Sequence, residues 1–301
     1  MKLKSTLLAF TLLVTTLSFA DATICELRKT RDDSKTFIES TRSVQENYKQ
    51  IINILTKMKP SDETKEQIAN KLKAIDAGST TMANTCESLM KRAMPSDKAT
   101  KARERNRQRE QQFKARKPKF NSAISGGTTS AADLVTMAKE LILDLKEMRT
   151  AIKEVKTECK AAIEELKLVK EDCRDLKATT KAINAELTNL KEYVASSGDD
   201  AKENVAASLK TLAGQYDSAS AICSKLSKRN ITRAEAKKAR EKAMGSEAAT
   251  KAQYKSLSTT INGGNAATKE ITAAITSLKK AMRDHKDDVD DCILTVNVCH
   301  L

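Results

Sequence analysis

The 301-residue sequence has no tryptophan, two histidines, three prolines and eight glycines, and only 3% of it is aromatic. Each scarcity excludes something. Sandwiches and barrels need Gly and Pro for their many turns, so an all-β fold is ruled out at this composition. Two histidines cannot furnish a multi-histidine metal centre. No phosphate-cradling loop, dinucleotide fingerprint or nucleophile elbow occurs. With Phe113 and Phe120 the only aromatics near the densest run of cations, single-stranded bases would find little to stack on, so no specific nucleic acid is expected. The abundant residues are Ala, Lys, Glu, Leu and Thr, with 31% charged and a formal net charge of +14. Such usage reads as long helices.

The N-terminus reads as a secretory signal peptide over residues 1–20, or to residue 22 by a second cleavage pattern. Met1-Lys2-Leu3-Lys4 is a short basic start, Thr6 to Phe19 is apolar, and Ser18-Phe19-Ala20 ends in small residues. The apolar run is too short to span a bilayer, and no later stretch reaches 18 uncharged apolar residues. The expected localisation is secreted. All seven cysteines follow the cleavage site, which makes them disulfide formers in an oxidising compartment. Seven is odd, so one is left free or bonded to another chain. Asn230-Ile231-Thr232 is an N-glycosylation sequon, with Asn230 as acceptor.

A heptad seam runs from Leu134 to Val194 in 4-3 spacing, with Thr180 its only polar member and no Pro or Gly inside. It predicts one helix of about 90 Å with coiled-coil packing. The chain also repeats itself at an offset of 137. Ile75, Cys86 and Leu89 fall on Leu212, Cys223 and Leu226; Arg103 falls on Arg240; Gly126-Gly127 falls on Gly263-Gly264. Upstream, Phe37, Tyr48 and Ile51 fall on Leu176, Leu187 and Leu190 at an offset of 139. The predicted fold is therefore all-α: elongated antiparallel helical bundles, two duplicated units sharing one long central helix. Unit 1 spans residues 23–160, with a basic tract over 98–119 and a break over 120–129, and unit 2 spans 161–301. Each unit is expected to hold a first helix, a long middle helix and a returning helix. Pro95 should kink or split the middle helix of the first half.

Hairpin geometry about Gly198 puts Cys173 opposite Cys223, and a disulfide is expected there. Cys25 lies too far out to face Cys86, but close in level to Cys159 across parallel helices, and the remaining pairings stay open. Little points to catalysis, and no cofactor or metal is expected. His285 sits in a charged run, Arg283 to Asp288, and reads as solvated. Cys292, Cys299 and His300 lack the two-pair spacing of a zinc site. Asp287, Asp288, Asp290 and Asp291 lack the glycine and terminal glutamate of a calcium loop.

The feature with binding chemistry is the basic tract: Lys98, Lys101, Arg103, Arg105, Arg107, Arg109, Lys114, Arg116, Lys117 and Lys119, against Glu104 and Glu110. Its field would attract sulfate or phosphate groups. Its arginines suit bidentate contact with either. Arg229, Arg233, Lys237, Lys238, Arg240 and Lys242 form a weaker version in the second half.

The signal peptide, the Lys/Glu/Ala-rich helices and the cysteines spread over two helical halves give the chain a resemblance, over its whole mature length, to the mosquito (dipteran) salivary secreted 34 kDa family. That resemblance implies a non-enzymatic salivary effector delivered to a host or to the feeding apparatus. The expected partner is an extracellular host protein or an acidic polysaccharide such as a glycosaminoglycan, bound through the basic helix. The alternatives are an apolipoprotein-like lipid-binding protein, or a structural rod self-assembling through its seam or odd cysteine.

Overall fold

The computed structural model describes residues 23–196, 199–231 and 233–297. The expected signal peptide, Thr232, Cys299 and His300 lie outside the described residues. Within them there are seven helices and no strand: α1 (Ile24–Lys57), α2 (Asp62–Lys91), α3 (Asp97–Gly126), α4 (Ala131–Ala195), α5 (Asp199–Lys228), α6 (Ala234–Asn262) and α7 (Thr268–Asn297). No helix among the described residues is long and apolar enough to cross a membrane.

Local chemistry sets the helix ends. Thr23 caps α1 by accepting from the Glu26 N–H at 3.1 Å. Ser61 and Thr64 form a reciprocal capping box on α2, and Ser96 accepts from the Ala99 N–H to start α3. Gly127 ends α3 at φ 68°, and Gly264 follows α6 at φ 70°. That left-handed backbone is cheap only for glycine. The break expected over 120–129 contracts to 127–130, because α3 runs on through Gly126.

Compact packing divides the chain between Ile163 and Glu164, within α4. In the first unit numbering falls along one helix as it rises along the next. Ser88 meets Asp33 across α2 and α1; Asn106 and Lys117 of α3 meet Cys86 and Asp76 of α2. Lys98 and Arg116 of α3 meet Glu158 and Asp144 of α4. The second unit repeats this order. Arg229 meets Asp172, Ser220 meets Glu247, Lys242 meets Asp288, and Lys279 meets Thr188. Each unit is thus an up-down-up-down four-helix bundle.

This corrects the expected three-helix unit. The middle helix is two antiparallel helices in both halves. Pro95 disfavours helix at Met94 and breaks the first. The second breaks at Arg229–Arg233 without a proline. Both connections turn an apolar residue inward, Met94 and Ile231. The extra reversal makes α1 antiparallel to α4, so Cys25 and Cys159 lie on antiparallel helices rather than parallel ones.

The cores are aliphatic with a few rings. In the first, Tyr48 meets Phe113 and Phe120 edge-on at centroid distances of 6.4 and 5.5 Å. In the second, Tyr216 and Tyr254 stack at 4.7 Å, and the Tyr254 hydroxyl donates to the Leu209 carbonyl at 2.6 Å. The α4 seam is buried as expected from Leu134 to Leu190, with one slip: Ile163 is buried where Ala162 was expected. His285 is the clear departure. It is 1% exposed, on the seam Met282–His285–Val289–Cys292 of α7, with Nδ1 2.9 Å from the Ser246 hydroxyl. Burial pushes its pKa down to about 4, with Asp288 opposing.

Candidate anion-binding face

The ten basic residues of the tract all lie on α3, and the fold sends them in different directions. Arg103 points inward and is 7% exposed. Its Nη1 donates to the carbonyls of Arg92 (2.8 Å), Met90 (3.4 Å) and Leu89 (3.5 Å). These carbonyls lie at the C-terminus of α2, where a cation also opposes the helix dipole. Arg103 is a helix cap, and the expectation that it contacts a polyanion is corrected. Arg240 does the same in the second unit, donating to Leu226 (3.2 Å) and Arg229 (2.9 Å). The capped residues themselves pair alike: Arg92 Nε with Asp33 at 3.1 Å, Arg229 Nε with Asp172 at 2.8 Å.

Four further cations form a ladder along α4. Lys98 pairs with Glu158 (2.9 Å), Arg105 with Glu154 (2.6 Å), Arg109 with Glu147, and Arg116 with Asp144 (2.8 Å). Asp144 is buried, which raises its pKa, while Arg116 and Arg109 pull it back. Lys117 reaches Asp76 of α2, and Lys114 pairs with Glu110 one turn earlier. Among the described residues no carboxylate pairs with Lys101, Arg107 or Lys119, and all three are exposed. Helix α3 therefore offers three uncommitted cations, not ten.

On the second-half counterpart, Lys237 and Lys238 are exposed. Arg229, Arg240 and Lys242 serve the pairs and caps described above, and Arg233 is buried, donating to the Thr295 carbonyl and Glu235. Charge is unequal between the units. Residues 23–163 carry 29 Lys and Arg against 19 Asp and Glu; residues 164–301 carry 23 against 20. A second basic cluster, missed in the sequence because its α1 and α4 members lie 100 or more residues apart, lines a cavity of about 600 Å³ between α1 and α4. Arg42, Lys49, Arg149 and Lys153 supply its cations.

The thiols occupy the cores. Cys86, Cys159, Cys173, Cys223 and Cys292 are free and buried. Burial pushes Cys86 up to about 11 and both Cys159 and Cys223 up to about 12. The bridge expected between Cys173 and Cys223 is not made. Cys173 Sγ instead lies 2.9 Å from Cys292 Sγ, across α4 and α7. The hairpin register about α4 and α5 holds, and Cys223 still lies near enough to act on the Cys173 thiol, but α7 brings Cys292 closer. Asn230 is exposed at the α5–α6 connection, its N–H donating to Glu165 at 3.1 Å. Among the described residues no group of three or more His, Cys, Asp or Glu is placed to hold a metal ion.

No family model, curated protein or solved structure matches this chain.

Proposed function

We propose that the protein is a non-enzymatic, secreted effector of salivary type that binds acidic extracellular macromolecules, foremost sulfated polysaccharides of the glycosaminoglycan class. It acts through its first unit, and the two units descend from one duplicated four-helix bundle. The observation that carries this reading is the positive charge left over in the first unit after internal pairing, with Lys101, Arg107 and Lys119 exposed on α3. The ladder adds to it. An exposed ion pair is worth about 0–1 kcal/mol, so a dense row of sulfates can exchange for the carboxylates of Glu154 and Glu147. A lipid-carrier reading has less support, since the apolar stripes are consumed in the bundle cores and the exposed large apolar side chains, such as Met58, Leu143 and Leu294, are scattered.

Heparin chromatography under rising salt tests the reading. The wild-type protein should elute well above physiological salt. Lys101→Gln/Arg107→Gln/Lys119→Gln should elute earlier, and Lys237→Gln/Lys238→Gln close to wild type. Wild-type protein in the flow-through at physiological salt would defeat it.

A further inference from the structure

The cavity between α1 and α4 differs in kind from the rest of the basic surface. Its one carboxylate, Glu46, is taken by Lys49 at 3.2 Å. Among the described residues, Arg42, Arg149 and Lys153 have no carboxylate partner, in contrast to the ladder on the opposite side of α4. Burial first, then the like charge of Arg42, holds Arg149 below its ordinary pKa. Arg42 and Arg149 thus lie close together with no carboxylate paired to either among the described residues. The same wall carries Gln45, only 7% exposed, whose Oε1 has no hydrogen-bond partner. The cavity thus presents cations with no carboxylate partner beside a buried acceptor that lacks a donor.

We infer that this α1–α4 groove is an anchoring site for a sulfated sugar, with Arg42, Arg149 and Lys153 holding the sulfo group and Gln45 accepting from a sugar hydroxyl. A planar guanidinium can give two parallel N–H donors to one sulfo group. A sulfate ester has no proton to offer Gln45, and the neighbouring ring hydroxyl supplies it. This inference rests on the polysaccharide reading above and places the grip on α1 and α4 rather than on α3.

Calorimetric titration of the full-length protein at low salt with a heparin-derived tetrasaccharide, and separately with inorganic sulfate and inorganic phosphate, decides it. For Arg42→Gln/Arg149→Gln, tetrasaccharide affinity should fall tenfold or more. Lys101→Gln/Arg107→Gln/Lys119→Gln should lose two- to threefold, and Gln45→Leu should weaken the sugar but not inorganic sulfate. Removing two repelling cations should leave the melting temperature of the arginine variant unchanged or raised, which separates lost binding from misfolding. If wild type binds the tetrasaccharide and the arginine variant binds it equally, the groove is overturned while the polysaccharide reading stands. If wild type binds no oligosaccharide, that reading falls. Inorganic sulfate or phosphate bound by wild type and lost in the arginine variant would then uphold an oxyanion groove, and no binding of either would overturn it.

A separate observation carries a second inference. At 2.9 Å, Cys173 Sγ and Cys292 Sγ lie well inside van der Waals contact, and both residues are fully buried. We propose that these two cysteines form a disulfide as the chain folds. Thiol–disulfide exchange with a small-molecule disulfide such as oxidised glutathione joins the two sulfurs. It delivers their two electrons and two protons to the reagent as two thiols. Peptide mapping of non-reduced protein after alkylation under denaturing conditions should yield a Cys173–Cys292 linked peptide and an alkylated Cys223. A Cys173–Cys223 linkage, or all three alkylated, overturns it.

Discussion

A histidine in a run of aspartates and lysines is buried here because phase along the helix outweighs neighbours in sequence. His285 sits three residues after Met282 and four before Val289, on the stripe that α7 turns inward. Burial holds it neutral, with a folded-state pKa of about 4 against an ordinary 6.5. Because the folded state binds this proton less readily than the unfolded chain, stability is complete above about pH 6.5 and drains as pH falls toward 4. The loss at pH 4 amounts to about 3 kcal/mol. Urea melts of wild type and His285→Met at pH 7 and pH 4 should show a pH dependence smaller by that amount in the variant. Equal dependence would mean that the imidazole is not held neutral. Arg103 is the same lesson with opposite chemistry. Replacing it with Met strips three carbonyls of a charged donor and should cost about 2–3 kcal/mol in urea melts, without changing heparin retention. Both residues were legible in principle. Ala99, Arg103, Asn106, Glu110 and Phe113 follow the 4-3 spacing, as do Ala236, Arg240, Ala243, Glu247 and Thr250. A search for apolar stripes alone passes over such polar members.

Among the elements, α4 was the most legible, since its 65 residues keep one apolar phase that no loop interrupts. The reversals between α2 and α3 and between α5 and α6 were less so. A proline marks only one of them, and what holds both is an arginine in the following helix reaching back 11 residues to a carbonyl of the turn. Close approach between helices leaves its own mark. A Cβ on Gly78 of α2 would lie 2.5 Å from Val44 Cγ2 of α1. Val44 is fully buried and β-branched, so it has no other rotamer to take. Gly78→Ala should therefore destabilise by about 1–3 kcal/mol, despite the better helix propensity of alanine. Gly214→Ala and Gly245→Ala meet nothing within 4 Å and should each stabilise by up to about 1 kcal/mol. Thermal melts of the three variants measure the contrast. A stabilised Gly78→Ala would mean that α1 and α2 pack less closely than described.

For the whole molecule, net charge was legible from composition but its distribution was not, because neutralisation depends on which helix lies alongside. Ladder partners such as Arg105 and Glu154 stand 49 residues apart, and no local window pairs them. Once the boundary between the units is known, the first holds 29 cations to 19 anions, and the second is nearly balanced. Hydrogen exchange in the presence of saturating heparin oligosaccharide should therefore slow in residues 23–163 and stay unchanged in 164–297. Slowing spread evenly over both would make the charge partition irrelevant to binding. The arginine-held turn has one more consequence. Its parts are a leucine, an arginine three residues later, a second arginine 14 residues after the leucine, and an aspartate 57 to 59 residues before the first arginine. Those intervals form a signature that can be sought in any helical sequence. Two chains alike in nothing else would declare a common joint by keeping it.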